Sequence, residues 1–360
     1  MADGITTIAS VYIVCMLVAG SGSSLVLKGM NQFPGPICDD CPSTDYNHPY
    51  MQTFFMFIGE LCCIFVYWAI QLRQKVRGVQ PPPVKEGKAR YKLFPHIFLF
   101  MIPTICDLVG STLFNIGLYF SQVSVYQMLR NVSVVFVAGM SAILWQDYRR
   151  KFDLPQLIGL IVLVGGASLI SYAAIGFNSS QENPAKNPGL GIVMILMGCI
   201  FSALFYVSEE IFLRKVQVPG LLGVSNEGFW GIVFYAVLLP IFNAVDDPFS
   251  DENPKPKMED IKGWAYRLEH EPALIGLHVA FIACVLVFNF TGMEITNHVS
   301  SAARSTFDAC RTIIIWIVSF IVGWEKWHNV STPVRIVGFV LVTLGVLVYN
   351  NVFKIIPFLR

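Results

Sequence analysis

Apolar runs about as long as a bilayer is thick recur along the whole chain, and they constrain it more than any other feature. Windows of about twenty apolar residues, the length a helix needs to cross a membrane, fall at 7–28, 52–72, 95–119, 123–144, 153–175, 189–212, 225–245, 272–293, 302–323 and 334–353. A chain with this pattern cannot bury so much apolar surface in water-soluble form. Hydrophobic residues make up 54% and charged residues 14%, against about 25% charged in an ordinary soluble domain. The expectation is an all-α polytopic membrane protein whose partner is the lipid bilayer. With a formal net charge of +1 there is no global basic field, which excludes nucleic acid as a partner.

Two of these spans carry the same polar signature. Ser124-Val-Tyr-Gln127-Met-Leu-Arg130 and Ser305-Thr-Phe-Asp308-Ala-Cys-Arg311 each place an arginine inside an apolar helix. Each is followed by a tryptophan and two glycines: Trp145, Gly159 and Gly166, then Trp324, Gly338 and Gly345, with identical spacing from the tryptophan onward. Apolar composition alone does not set Arg, Trp, Gly and Gly in one order twice. The chain therefore reads as a duplicated five-span unit: a first repeat over 1–175, a linker over 176–188 and a second repeat over 189–360. Because each half has an odd number of crossings, the two repeats are expected to be inverted, the recurring plan of secondary transporters.

Orientation follows from the basic residues. Arg73, Lys75, Arg77, Lys85, Lys88, Arg90 and Lys92 lie in one loop, Arg149, Arg150 and Lys151 in a second, and Arg214 and Lys215 in a third. With ten spans all three fall on one side, the cytosolic side, and both termini lie there too. The loop holding Asn178-Ser-Ser180 is then lumenal, which makes Asn178 a candidate glycosylation acceptor. Cys38 and Cys41 share a lumenal loop and allow either a disulfide or two free thiols. They are too few for a zinc site even with His48 counted as a third ligand, so no metal is expected.

The residues Asn47-His-Pro-Tyr-Met-Gln52, Phe57-Ile-Gly-Glu60, Cys106-Asp-Leu-Val-Gly-Ser-Thr112, Tyr126-Gln-Met-Leu-Arg130, Glu227-Gly228 and Asp308-x-x-Arg311 with Gly323-Trp-Glu325 resemble the drug/metabolite transporter superfamily. Within it the chain is similar to the solute carrier 35 family, F subgroup, member-six type, which is related to the chloroquine-resistance-transporter group. The resemblance implies movement of a small-molecule solute across an endomembrane, a lysosome or related organelle, through a central cavity between the halves.

Gln127 and Arg130, and Asp308 and Arg311, each share one helical face, so both pairs can point at one cavity. Arginine holds carboxylate or phosphate bidentately, which suits an anionic or zwitterionic metabolite. Asp308 either pairs with an arginine that substrate displaces, carries a coupling proton, or simply neutralises Arg311. Asp107, with Ser111, Thr112 and Asn115 on nearby turns, is a further cavity candidate. Glu60 and Glu227 occupy equivalent elements, each beside a glycine, and read either as gating or proton-coupling groups or as a helix clamp. Glu209 and Glu210 read as a helix end near Arg214 and Lys215, with one of the two free to face a vestibule. No His-Glu-x-x-His, no Ser/His/Asp set and no cofactor motif is present, so an enzyme is not expected. The competing reading is a non-transporting receptor or scaffold that keeps the fold.

Overall fold

Lipid offers no hydrogen-bond partners to the backbone, so apolar runs of this length close their amide bonds internally as helices. The computed structural model describes residues 2–31, 33–39, 41, 43–46, 48–78, 96–121, 123–144, 153–177, 187–213, 218–248, 255–323 and 331–349. In chain order these form α1 (Ala2–Asn31), β1 (Pro34–Gly35), β2 (Thr44–Asp45), α2 (Pro49–Leu61), α3 (Cys63–Val76), α4 (His96–Leu99), α5 (Met101–Phe120), α6 (Val123–Arg130), α7 (Ser133–Leu144), α8 (Leu154–Gly176), α9 (Pro188–Ile211), α10 (Gly220–Ala244), α11 (Ile261–His270), α12 (Pro272–His298), α13 (Ser301–Ile321) and α14 (Ser331–Tyr349). Prolines open α2, α9 and α12, where their missing N–H would have no intrahelical partner anyway. The Asn187 side chain caps α9 by accepting from the Leu190 amide at 3.1 Å. The only strands among the described residues are β1 and β2, a two-residue antiparallel ladder.

Eight helices among the described residues are long and apolar enough to cross a membrane, where the sequence led us to expect ten. The two expected spans that fall short are those carrying the repeated signature. The α13 helix holds Arg304, Asp308 and Arg311 within its length. The span expected over 123–144 is split into α6 and α7 at Asn131 and Val132. Charge in α13 and the interruption between α6 and α7 are what remove both from a hydropathy count. Trp145, Trp324 and the Asn178 acceptor lie outside the described residues.

The chain forms two compact units that each draw on both sequence halves: one of residues 1–13, 105–215 and 294–360, the other of 14–104 and 216–293. In the first unit α8 packs against α14 through the repeated glycines. A β-carbon on Gly159 would lie 2.7 Å from the Gly345 carbonyl oxygen, and one on Gly166 would lie 2.6 Å from that of Gly338. The first glycine of one copy therefore meets the second glycine of the other, and the two helices run antiparallel. Small residues here let backbones approach within van der Waals contact, the usual means of helix association in lipid. Val125, Met128, Leu129, Val134, Val137, Leu163, Ile170, Ile195, Val207, Val342 and Val346 fill the core around this pair.

In the second unit α2 packs on α10, where Gly228 lies against the backbone of Phe57 and Glu60, and Gly59 faces the Ile282 carbonyl of α12. A polar network closes the end of this unit. Glu259 bonds His48 Nδ1 at 2.6 Å through one oxygen and accepts from the Tyr50 and Met51 amides at 3.0 and 3.2 Å through the other. A carboxylate distant in sequence thus caps α2, whose own N-cap residue, His48, makes no side-chain bond to the helix amides. Tyr46 bonds His278 Nε2 at 3.1 Å, and His278 Nδ1 reaches the Leu274 carbonyl at 2.7 Å. Because the carbonyl takes a proton from Nδ1, neutral His278 accepts at Nε2 and Tyr46 donates. Burial, with Glu259 nearby, raises the Tyr46 pKa. Arg267 is buried and donates to Thr44 at 2.5 Å, while Tyr266 donates to Asp39 at 2.7 Å. Cys38 and Cys41 are joined as a disulfide, with Cα atoms 5.1 Å apart.

Candidate functional site

The repeated signature lies in the first unit, and its two copies are in different surroundings. The first copy ends where the helix breaks. Past Arg130 the chain makes tight turns, with Val132 bonding the Leu129 carbonyl at 3.0 Å and Val135 bonding that of Val132 at 2.9 Å. The break exposes carbonyls that a continuous helix would use, and the Cys199 thiol of α9 lies 3.6 and 3.7 Å from those of Leu129 and Arg130. Arg130 is thereby held at the C-terminal end of a short helix, where a cation is favoured by the helix dipole.

Its guanidinium lies over two aromatic rings, 4.8 Å from the Phe114 centroid and 5.6 Å from that of Tyr126. It also donates to the Tyr126 hydroxyl at 3.4 Å. Each such ring contact is worth about 0.5–2 kcal/mol, more as water is excluded. No carboxylate among the described residues lies within 4.0 Å of Arg130.

The second copy is continuous and internally paired. Arg311 Nε meets Asp308 Oδ1 at 2.8 Å, with side chains 12% and 16% exposed, and Tyr206 of α9 donates to Asp308 Oδ2 at 3.2 Å. At the residue following the arginine the copies touch directly, since Thr312 donates to the Asn131 side chain at 3.2 Å. Ser133 and Ser305 lie 3.5 Å apart nearby.

A third arginine completes the network. Arg304 forms an ion pair with Glu209 of α9, both side chains at most 1% exposed, and lies 5.0 Å from the Tyr206 ring centroid. The neighbouring Glu210 accepts from the Ser301 amide at 3.1 Å and from its hydroxyl. It thereby satisfies donors that the first turn of α13 leaves open. Glu209 and Glu210 stand at the end of α9, as expected, but neither is solvated: both acids are buried and both hold α13. Arg304 escaped the repeat comparison because the first copy has Val123 at that position. Its signal was the spacing Arg304, Asp308, Arg311, which sets three charges on one face of α13.

Asp107 belongs to this cluster. It hydrogen-bonds Ser111 and lies within electrostatic range of Arg130, Arg304 and Glu209. It is partly buried, as are Ser111, Asn115 and Gln127. Asn115 shares the α5 face that carries Asp107 and Ser111. Among the described residues Gln127 contributes no bond to the network.

Glu60 and Glu227 lie in the second unit, buried at the α2–α10 crossing. Glu60 accepts from the Asn289 side chain at 2.8 Å, and Thr104 reaches the Glu227 carbonyl at 3.4 Å. Asn289 and Asn131 each begin an Asn-x-Ser/Thr sequence, and both are buried and bonded. No group of three or more potential metal ligands occurs among the described residues.

A family model described as solute carrier family 35, F subgroup, matches residues 13–351. The chain belongs to this family. It is similar to human solute carrier family 35 member F6, 28% identical over 94% of this chain and 88% of that protein. It is similar also to an uncharacterized protein of Schizosaccharomyces pombe, 28% identical over 84% of this chain and 87% of that protein. The GDP-mannose transporter GONST5 of Arabidopsis thaliana is 24% identical over 77% of this chain and 71% of its own length. A solved crystal structure superposes with a TM-score of 0.56 at 13% identity, covering 98% of this chain and 99% of that one. That likeness concerns the fold alone. This solute carrier is an integral membrane protein, and its family is one of transporters rather than enzymes.

Proposed function

We propose that the protein is a secondary transporter that moves a small anionic or zwitterionic metabolite across an endomembrane, binding it at Arg130 and Arg311. The observation that carries this reading is Arg130, a charge at membrane depth held over two rings with no carboxylate within 4.0 Å among the described residues. Burying a cation costs several kcal/mol unless something compensates it. An exchangeable anion is a compensating partner a transporter would supply. Asp308 then holds Arg311 until substrate arrives, and Tyr206 steadies the carboxylate. Ser111 and Asn115 line the same route from α5, and Gln127 stands one turn from Arg130.

The antiparallel meeting of Gly159 with Gly345 and Gly166 with Gly338 supports an inverted five-plus-five repeat. On that plan α6–α7 and α13 complete ten crossings, with both termini cytosolic. The transporter relative named for GDP-mannose supports solute movement in general. Proton coupling is assigned to Asp308, partly buried, and to the buried Glu60 and Glu227. Uptake into liposomes tests the reading: Arg130→Ala and Arg311→Ala should each reduce initial rates by tenfold or more. Uptake left unchanged by both would refute the site and favour a scaffold. Uptake driven by an imposed pH gradient, and losing that dependence in Asp308→Asn or Glu60→Gln, would identify the coupling acid.

A further inference from the structure

The charge balance of the first unit's polar cluster bears on which class of solute it takes. Three arginines, Arg130, Arg304 and Arg311, and four acids, Asp107, Glu209, Glu210 and Asp308, define the cluster. Arg311 is matched by Asp308 and Arg304 by Glu209, while the adjacent Glu210 is matched by the first turn of α13. This leaves one cation and one anion. Among the described residues neither Arg130 nor Asp107 has an opposite charge within 4.0 Å, although each lies in the other's field.

The two are set on one surface. Arg130 lies over Phe114, and Asp107 is seven residues before Phe114 on the same face of α5, two turns or about 10 Å along the axis. With a charge-assisted bond of about 2.8 Å at each end, that gap leaves room for a compact ligand.

We infer that the solute is a net-neutral, amino-acid-like zwitterion whose carboxylate is held by Arg130 and whose ammonium is held by Asp107. This rests on the reading of Arg130 as a substrate-binding residue. The arginine fork accepts a carboxylate bidentately, and Phe114 and Tyr126 fix its plane. Asp107, steadied by Ser111, accepts from the ammonium. A doubly charged pyrophosphate, as in a nucleotide sugar, would bring a second negative charge with no unmatched arginine to receive it. It would also meet Asp107 and Glu209 at close range. A simple monoanion would leave Asp107 uncompensated, and a simple cation would leave Arg130 so.

The experiment uses the purified full chain in detergent and in liposomes. The probes are the free amino acids, 4-aminobutyrate and glycylglycine, their N-acetyl and amide derivatives, and GDP-mannose. The expected result is that at least one zwitterion raises the melting temperature and is taken up. Its N-acetyl and amide forms should bind tenfold or more weakly. Asp107→Asn should then bring the zwitterion down to its N-acetyl form, and Arg130→Gln should bring it down to its amide. Melting without ligand checks that both variants fold.

Stabilisation and uptake of GDP-mannose or of the N-acetyl forms alone would overturn the zwitterion and leave the transporter reading standing. Stabilisation by none of the probes would also overturn the zwitterion. Uptake of a zwitterion at an undiminished rate in Arg130→Gln would overturn the site itself.

Discussion

The two copies of the signature share a residue pattern and stand in different electrostatic surroundings. In α13 the arginine is paired within its own helix, because position 308 is an aspartate. In α6 the corresponding position is Gln127, and Arg130 relies on two aromatic rings and the end of a short helix. One copy is closed on itself, and in the other the arginine has no carboxylate within 4.0 Å among the described residues. The two arginines therefore differ in their surroundings, and the difference lies in what stands three residues before each and what faces Arg130 from α5 and α9.

The largest effect expected from breaking this contrast is at Arg304 and Glu209, a pair that only the second copy has. Glu209→Ala leaves Arg304 buried without its partner and should cost about 3–5 kcal/mol, read as a lowered melting temperature. Arg304→Val, which gives α13 the residue of the first copy, should cost a similar amount. The double variant Arg304→Val with Glu209→Leu should recover most of the loss, since an apolar pair of similar volume is often as stable.

Next in size is the glycine contact. Gly166→Leu would drive its side chain into the backbone of α14 and should destabilise by about 1–3 kcal/mol or more, with Gly338→Leu matching it. A large difference between the two would mean that the copies are not equivalent there.

Gln127→Asp would give Arg130 the partner that Arg311 already has. Stability should change by less than about 1 kcal/mol, the worth of a partly exposed pair. Uptake should fall about tenfold, because substrate must now displace a carboxylate. Unchanged uptake would show that Asp308 and Gln127 are interchangeable and that the contrast has no functional meaning. Thr312→Val removes the bond to Asn131 that joins the copies and should cost about 1 kcal/mol.

The smallest effect is in the second unit, whose His48, Glu259, Tyr46 and His278 network is closed throughout. The raised pKa of Tyr46 means its neutral form is favoured by folding. The stability it contributes is present below the ordinary tyrosine value of about 10 and lost as pH rises above it. Alkaline melting of Tyr46→Phe should be less steep than that of the native chain.

Much of this was legible in the residues. The apolar runs, the doubled signature and the matched glycines depend on local composition and on a period that a helix reads directly, and the family followed from the motifs. What could not be read was pairing across helices. Glu209 stands near Arg214 and Lys215 in sequence, yet its partner is Arg304 of α13. Glu259 stands in a loop, yet it caps α2.

By itself the sequence determined that the chain is helical, that it belongs in a membrane and that it belongs to its solute carrier family. A bilayer-length apolar run has no other way to satisfy its backbone. Only the tertiary structure decided which charges are neutralised and which are left over. A charge at membrane depth is governed by neighbours within a few ångströms, and those come from helices distant in the chain.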